Sequence, residues 1–204
     1  MRLDRSTKPL TVAALAALLL AGPAGVAVAQ SHDDHPMTAG SNRHKPNPKE
    51  GALVKAVRDA TEQFKNVSDA MAAGYQLTFG CVSGGDFGAM GLHFVNFPLV
   101  FDGELDAARP EIVLYEPLPR GGVKITGADY LVLAEDWDKK HPGSPPELMG
   151  QLFHLFESPN RFGLPPFYTL HVWAWKGNPA GTFSNWNPDV TCDAFSPETP
   201  DLHQ

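Results

Sequence analysis

Three polar side chains interrupt otherwise apolar runs in this chain: His93 in "GLHFVNF", Glu116 in "EIVLYEPL" and His171 in "FYTLHVWAW". Two imidazoles and one carboxylate, leaving coordination positions open, form the donor set of many zinc and non-haem iron sites. If the runs are strands, period-two alternation decides which side chains share a face. His93 then lies with Val95 and Phe97, Glu116 with Ile112 and Leu114, and His171 with Thr169, Trp173 and Trp175. A fourth imidazole, His154 in "GQLFHLF", sits beside Leu152 and Phe156, where it could replace or support any of the three. Should these faces coincide, the trio converges on a pocket walled by Phe97, Trp173 and Trp175. A zinc, iron or copper ion would meet little competing water there. The competing reading makes each histidine a core residue donating to a carbonyl, and Glu116 the exposed end of its strand.

A second set of nitrogens depends on processing. Cleavage before Gln30 would leave Gln30-Ser31-His32 at the amino terminus. Its amine, two amide nitrogens and the His32 imidazole suit the square-planar preference of Cu(II) or Ni(II). Cyclisation of Gln30 would remove the free amine, and a polar histidine-bearing leader explains the same residues.

Other chemistries lack their signatures. The chain has no GxSxG, HExxH, Walker loop or dinucleotide fingerprint. "SGGDFGAMG" is rich in glycine but has neither the lysine nor the preceding strand that phosphate cradling needs, and a flexible approach to the next strand explains its glycines. Sixteen basic residues against 23 acidic give a net charge of −7. No basic stripe is available to displace phosphate counterions, so nucleic acid and anionic membranes are excluded as natural partners. A small-molecule ligand remains, and the oligomeric state is open.

The elements that must position these residues follow from patterning. Residues 1–29 read as a secretory signal peptide: Arg2, Arg5 and Lys8, then "LTVAALAALLLAG", then Ala27-Val28-Ala29. The apolar run is too short for a comfortable span of about 20 residues. The mature protein is therefore expected to be secreted or periplasmic, without integral membrane association. Residues 30–46 form a polar leader too poor in apolar content to offset the entropy of ordering. Residues 47–192 form a single α+β domain, and 193–204 a tail.

At Asn47-Pro48-Lys49-Glu50 three helix-start signals coincide. Leu53, Val57, Phe64, Val67, Met71 and Tyr75 recur at helical steps, predicting one long amphipathic helix that Gly74 ends. Short apolar runs with glycine and proline punctuation follow, including "VKITGADYLVLA", and read as strands of a mainly antiparallel sheet covered by the helix. Cys81 and Cys192, an even pair in an exported chain, are expected to form one disulfide. Neither has the CxxC or CxxH spacing of a metal-binding thiol.

"GAMGLHFVN", "ARPEIVLYEP" and "GLPPFYTLHVWAWKGNPAGTFSNWNPDVTC" carry a resemblance. From about Val54 to Cys192 the chain resembles a group of small secreted bacterial proteins sharing a helix that ends in GY, a GAMGxHxVN segment, an LYE strand and an LHVWxWxxNPxGxFxxWNPxVxC ending. The resemblance implies a secreted protein and brings no established activity, cofactor or substrate, so His93, Glu116 and His171 match its pattern without acquiring a role. Three functions follow from the residues: an exported metal-dependent protein, a non-catalytic binding module using the same pocket or the proline-rich loops, and an envelope-associated structural domain.

Overall fold

The computed structural model describes residues 48–196. The predicted signal peptide, the leader with Gln30, Ser31 and His32, and the end of the predicted tail lie outside the described residues.

Helix α1, Pro48–Thr61, buries Leu53 and Val57 completely. The single long helix expected from the periodicity is interrupted: a tight 3-10 turn occupies Glu62–Lys65, and the chain restarts as α2, Val67–Ala72. Two polar residues explain the break. Thr61 is fully buried; its hydroxyl donates to the Val57 carbonyl at 2.6 Å and accepts from Trp175 Nε1 at 2.9 Å. Back-bonding of this kind bends helices. Asn66 then caps α2, its side chain accepting the Ser68 N–H at 3.1 Å. The tightened turn rotates the apolar stripe, which exposes Met71 but brings Phe64, Val67 and Ala70 onto the sheet.

Eight strands follow: β1 Gln76–Ser83, β2 Ala89–Val95, β3 Ile112–Pro117, β4 Val123–Leu133, β5 Glu147–Leu148, β6 Gln151–Leu152, β7 His154–Phe156 and β8 Phe167–Val172. Six build one sheet in the order β1-β2-β3-β4-β8-β7, every neighbour antiparallel; β5 and β6 pair separately. The protein is thus α+β with a mainly antiparallel sheet. Two short helices, α3 Phe97–Val100 and α4 Ala134–Lys140, follow β2 and β4. β1 is invisible to alternation because a bulge between Thr78 and Cys81 holds Phe79 and Gly80 at φ values of 66° and 63°. The disulfide joins Cys81 to Cys192, with Cα atoms 5.7 Å apart. A covalent tie of this kind belongs to an oxidising compartment. No helix among the described residues is long and apolar enough to cross a membrane.

The two faces of the sheet have different tasks. Leu92 and Phe94 of β2, Val113 and Tyr115 of β3, Ala128 and Tyr130 of β4, and Leu170 and Val172 of β8 pack against the helices. The Tyr115 hydroxyl donates to the Phe64 carbonyl at 2.7 Å, pinning the 3-10 turn to the sheet. The opposite face carries Val95, Ile112, Leu114, Leu131 and Phe167. It also carries His93, Asp129 and His171.

One buried carboxyl sets where β4 lies. β3 begins at Ile112, opposite Asp129, so Leu131 has no strand partner on that side. The Glu111 carboxyl replaces it, accepting the Leu131 N–H at 3.1 Å. Burial pushes Glu111 up to about 8, which keeps it protonated at neutral pH.

Candidate metal centre

Asp129 of β4 and His171 of β8 are directly opposed, and the same row continues through Ile112 of β3 to Val95 of β2. His93 lies two residues along β2 from Val95. Curling of the sheet brings these side chains together. One ligand atom from each of His93, Asp129 and His171 lies within 4.8 Å of the other two, and all three residues are buried. Closing around an ion with bonds of about 2.1 Å needs inward movements of about 1 Å shared between facing side chains.

Each donor is oriented differently. His93 Nδ1 lies 3.2 Å from the Gly91 carbonyl oxygen, which can only accept; Nδ1 therefore carries the proton and Nε2 keeps its lone pair. A backbone carbonyl behind the ring is the usual support of a metal-bound imidazole. Asp129 Oδ1 accepts from the Thr169 hydroxyl at 2.5 Å, which fixes the carboxylate. His171 is the exception. Its Nδ1 approaches Asp129 Oδ1 to 3.3 Å, but out of line for a hydrogen bond, and neither ring nitrogen has a hydrogen-bond partner among the described residues. Leaving a buried polar group unpaired costs roughly 1–3 kcal/mol, a cost that an ion or water taking one of the two nitrogens would reduce.

The electrostatics point the same way. Burial lowers His93 to about 4, with His171 beside it adding to the effect. Burial, followed by the charge of His154, lowers His171 to about 3. Asp129 is raised to about 6 by burial, against the Thr169 hydrogen bond and His93, which favour its charged form. At neutral pH both imidazoles are therefore neutral and the carboxylate is ionised, the protonation state that metal binding requires. An anion in an apolar interior also has a standing need for a cation. The cavity before these groups has a volume of about 20 Å³ and includes Phe79, Met90, Phe156 and Phe162 in its wall. That is room for about one water molecule.

The residues singled out from the sequence divide into two sets. His93 and His171 meet. Glu116 does not join them; it takes the Lys176 ammonium at 2.6 Å, and the carboxylate of the group is Asp129. Parity put Glu116 on a face but not at a height along it: Ile112 is the residue opposite Asp129, and four residues of strand span roughly 13 Å. His154 is exposed on β7, opposite Thr169 in register, near enough for its charge to act on both Asp129 and His171. Phe97 stays on this side of the sheet but misses the ligand cavity, because β2 stops at Val95 and α3 begins; it lines an adjoining hollow with Val95, Ile112 and Leu131. β8 stops at Val172, so Trp175 turns to the helical side, whereas the Trp173 ring stays beside His171 with centroids 6.4 Å apart, outside the wall of the ligand cavity. Trp173 donates to the Ser184 carbonyl at 2.6 Å and Trp175 to Thr61 on the helical side. The aromatic wall is built instead from phenylalanines of β1, β7, β8 and the loop before β8.

Asp129 was accessible to the same argument that found the histidines. In "VKITGADYLVLA" it breaks an apolar run, with Gly127 and Leu131 as its period-two neighbours. Its wall partners Phe79 and Phe162 gave no such signal, since one sits in a bulge and the other in a loop.

No protein-family model matches the chain, and neither a curated protein nor a solved structure matches it.

Proposed function

We propose that the protein is exported and holds one divalent transition-metal ion on His93, Asp129 and His171, with the remaining coordination positions facing the apolar cavity, where the ion acts on a small molecule. The observation that carries this reading is the His171 ring: both nitrogens are buried without partners, beside an ionised carboxylate and the free Nε2 of His93. Two neutral imidazoles and one carboxylate leave a divalent ion with net positive charge and vacant positions. An ion so held polarises a bound oxygen or lowers the pKa of a bound water. The buried surroundings strengthen that effect, because competing solvent is excluded. The Cys81–Cys192 disulfide and the amino-terminal signal pattern support export.

Metal analysis of protein purified without a histidine tag tests the reading. Wild type and Glu116→Gln should each hold close to one zinc, iron or copper ion per chain, whereas His93→Ala, Asp129→Ala and His171→Ala should lose it. Equal metal content in all five would falsify the proposal.

A further inference from the structure

Beside the His–Asp–His cavity lies a second hollow, of about 160 Å³, whose lining exposes no polar atom. Phe97, Phe101 and Leu133 line its outer part, while Phe79, Ile112, Leu131 and Leu164 line both hollows. The two hollows thus share four side chains of wall. The inner cavity admits about one water molecule, so an organic molecule reaching the ion must keep most of its body elsewhere. The adjoining chamber has the right size and chemistry: a cavity of about 150 Å³ lined by leucine, isoleucine and phenylalanine stays dry and takes up benzene.

The partition itself is unusual. Phe79 is held at φ 66°, a conformation that bulky residues seldom adopt. Its ring meets Phe162 edge-on at 5.3 Å, touches both hollows and is 40% exposed to solvent. Backbone conformations of this kind persist where the surroundings hold a side chain for a purpose. Phe97 and Phe101 stack with centroids 6.1 Å apart and are exposed at the mouth, 36% and 64%. The opening is therefore greasy, as the interior is.

We infer that this chamber binds the apolar body of the molecule whose polar end meets the metal: a compact aromatic or branched aliphatic compound, about the size of benzene or toluene, bearing one oxygen or sulfur donor. Phe79 is the side chain that must swing for that donor to pass. The inference rests on the metal reading for its polar end only.

Toluene and benzyl alcohol serve as probes, titrated into metal-free and cobalt(II)-loaded full-length protein. Toluene should shift the methyl resonances of Ile112, Leu131, Leu133 and Leu164 in both forms, and benzyl alcohol should also alter the visible spectrum of bound cobalt. Leu133→Trp fills the chamber and Phe101→Ser strips its mouth; each should weaken toluene binding at least tenfold. The serine variant lies at the surface, so it reports even if the tryptophan variant fails to fold. Cobalt uptake with no methyl shift on adding toluene overturns the inference. Methyl shifts without cobalt uptake support the chamber as an apolar binding site and overturn the metal reading instead.

Discussion

His93 and His171 face each other with ring centroids 5.7 Å apart and planes inclined at 67°, although β3 and β4 lie between the strands that carry them. Three strand spacings in a flat sheet amount to about 14 Å. The sheet must therefore curl so that the face opposite the helices is concave, and the curl is what turns scattered polar residues into a ligand set.

Asp129→Asn should separate metal affinity from stability. The asparagine oxygen still accepts from Thr169, but the charge that attracts a cation is gone, so affinity should fall at least about tenfold. The metal-free variant should be more stable than wild type at pH 8. Asp129 ionises at about 6 when folded against 3.8 ordinarily, so its charged form costs up to about 3 kcal/mol. Cobalt titration and urea unfolding measure the two effects. Undiminished affinity would remove Asp129 from the site.

His171→Leu should change how acid acts on the metal-free protein. The wild-type imidazole takes its proton near 6.5 when unfolded but only near about 3 when folded. Between those values the unfolded chain binds more protons, so the native state loses stability as pH falls through the window. Leucine removes that loss. Relative to the variant, wild type should weaken by on the order of 1.4 kcal/mol per pH unit from about 6 down to 4. Parallel denaturation curves at these pH values are sufficient, and a constant difference would mean that His171 titrates normally.

Glu111→Gln has the opposite sign. The folded carboxyl holds its proton to about 8 against 4.5 ordinarily, so the native state binds more protons in between and wild type weakens as pH rises. Glutamine still accepts the Leu131 N–H without titrating. The variant should gain on wild type between pH 5 and 8 and show little difference below pH 4.5. Thermal melts across that range check it; a flat difference would place the carboxyl in contact with water.

Replacing both Cys81 and Cys192 by alanine should cost about 2–5 kcal/mol, because the bridge closes a sequence separation of 111 residues. Urea unfolding of the double variant measures it. Loss should be read with the protein metal-free, so that ion binding does not mask it.

How far the residues foretold this arrangement depended on whether a local rule governed them. Alternation identifies β2, β3, β4 and β8 and says which neighbours share a face with His93 and which with His171, because side-chain parity is a property of the strand alone; whether the two faces coincide is decided by strand pairing. Height along a face is not a property of the strand alone. Glu116 has the right parity and the wrong row, whereas Asp129 has both. Strand ends are not a matter of parity either: Phe97 moves to the adjoining hollow where β2 gives way to α3, and Trp175 turns to the helical side after Val172, while Trp173 stays beside His171. The bulge in β1 erases its alternation, and the helix break depends on Thr61 being held by Trp175, more than a hundred residues away, so neither is written in a local pattern. The leader and its Gln30-Ser31-His32 nitrogens lie outside the described residues.

The strand order gives the site a place in time. β1 to β4 pair with their neighbours in sequence, whereas β8 must return across α4, β5, β6 and β7 to reach β4. Contacts between distant parts of a chain form late, since closing the intervening loop costs entropy before any pairing repays it. His93 and Asp129 belong to the meander of sequence neighbours, and His171 to the strand that pairs across the longer separation. On the proposed metal reading, a chain in which β8 has yet to pair with β4 would offer an ion two ligands at most, and docking of β8 would supply the third.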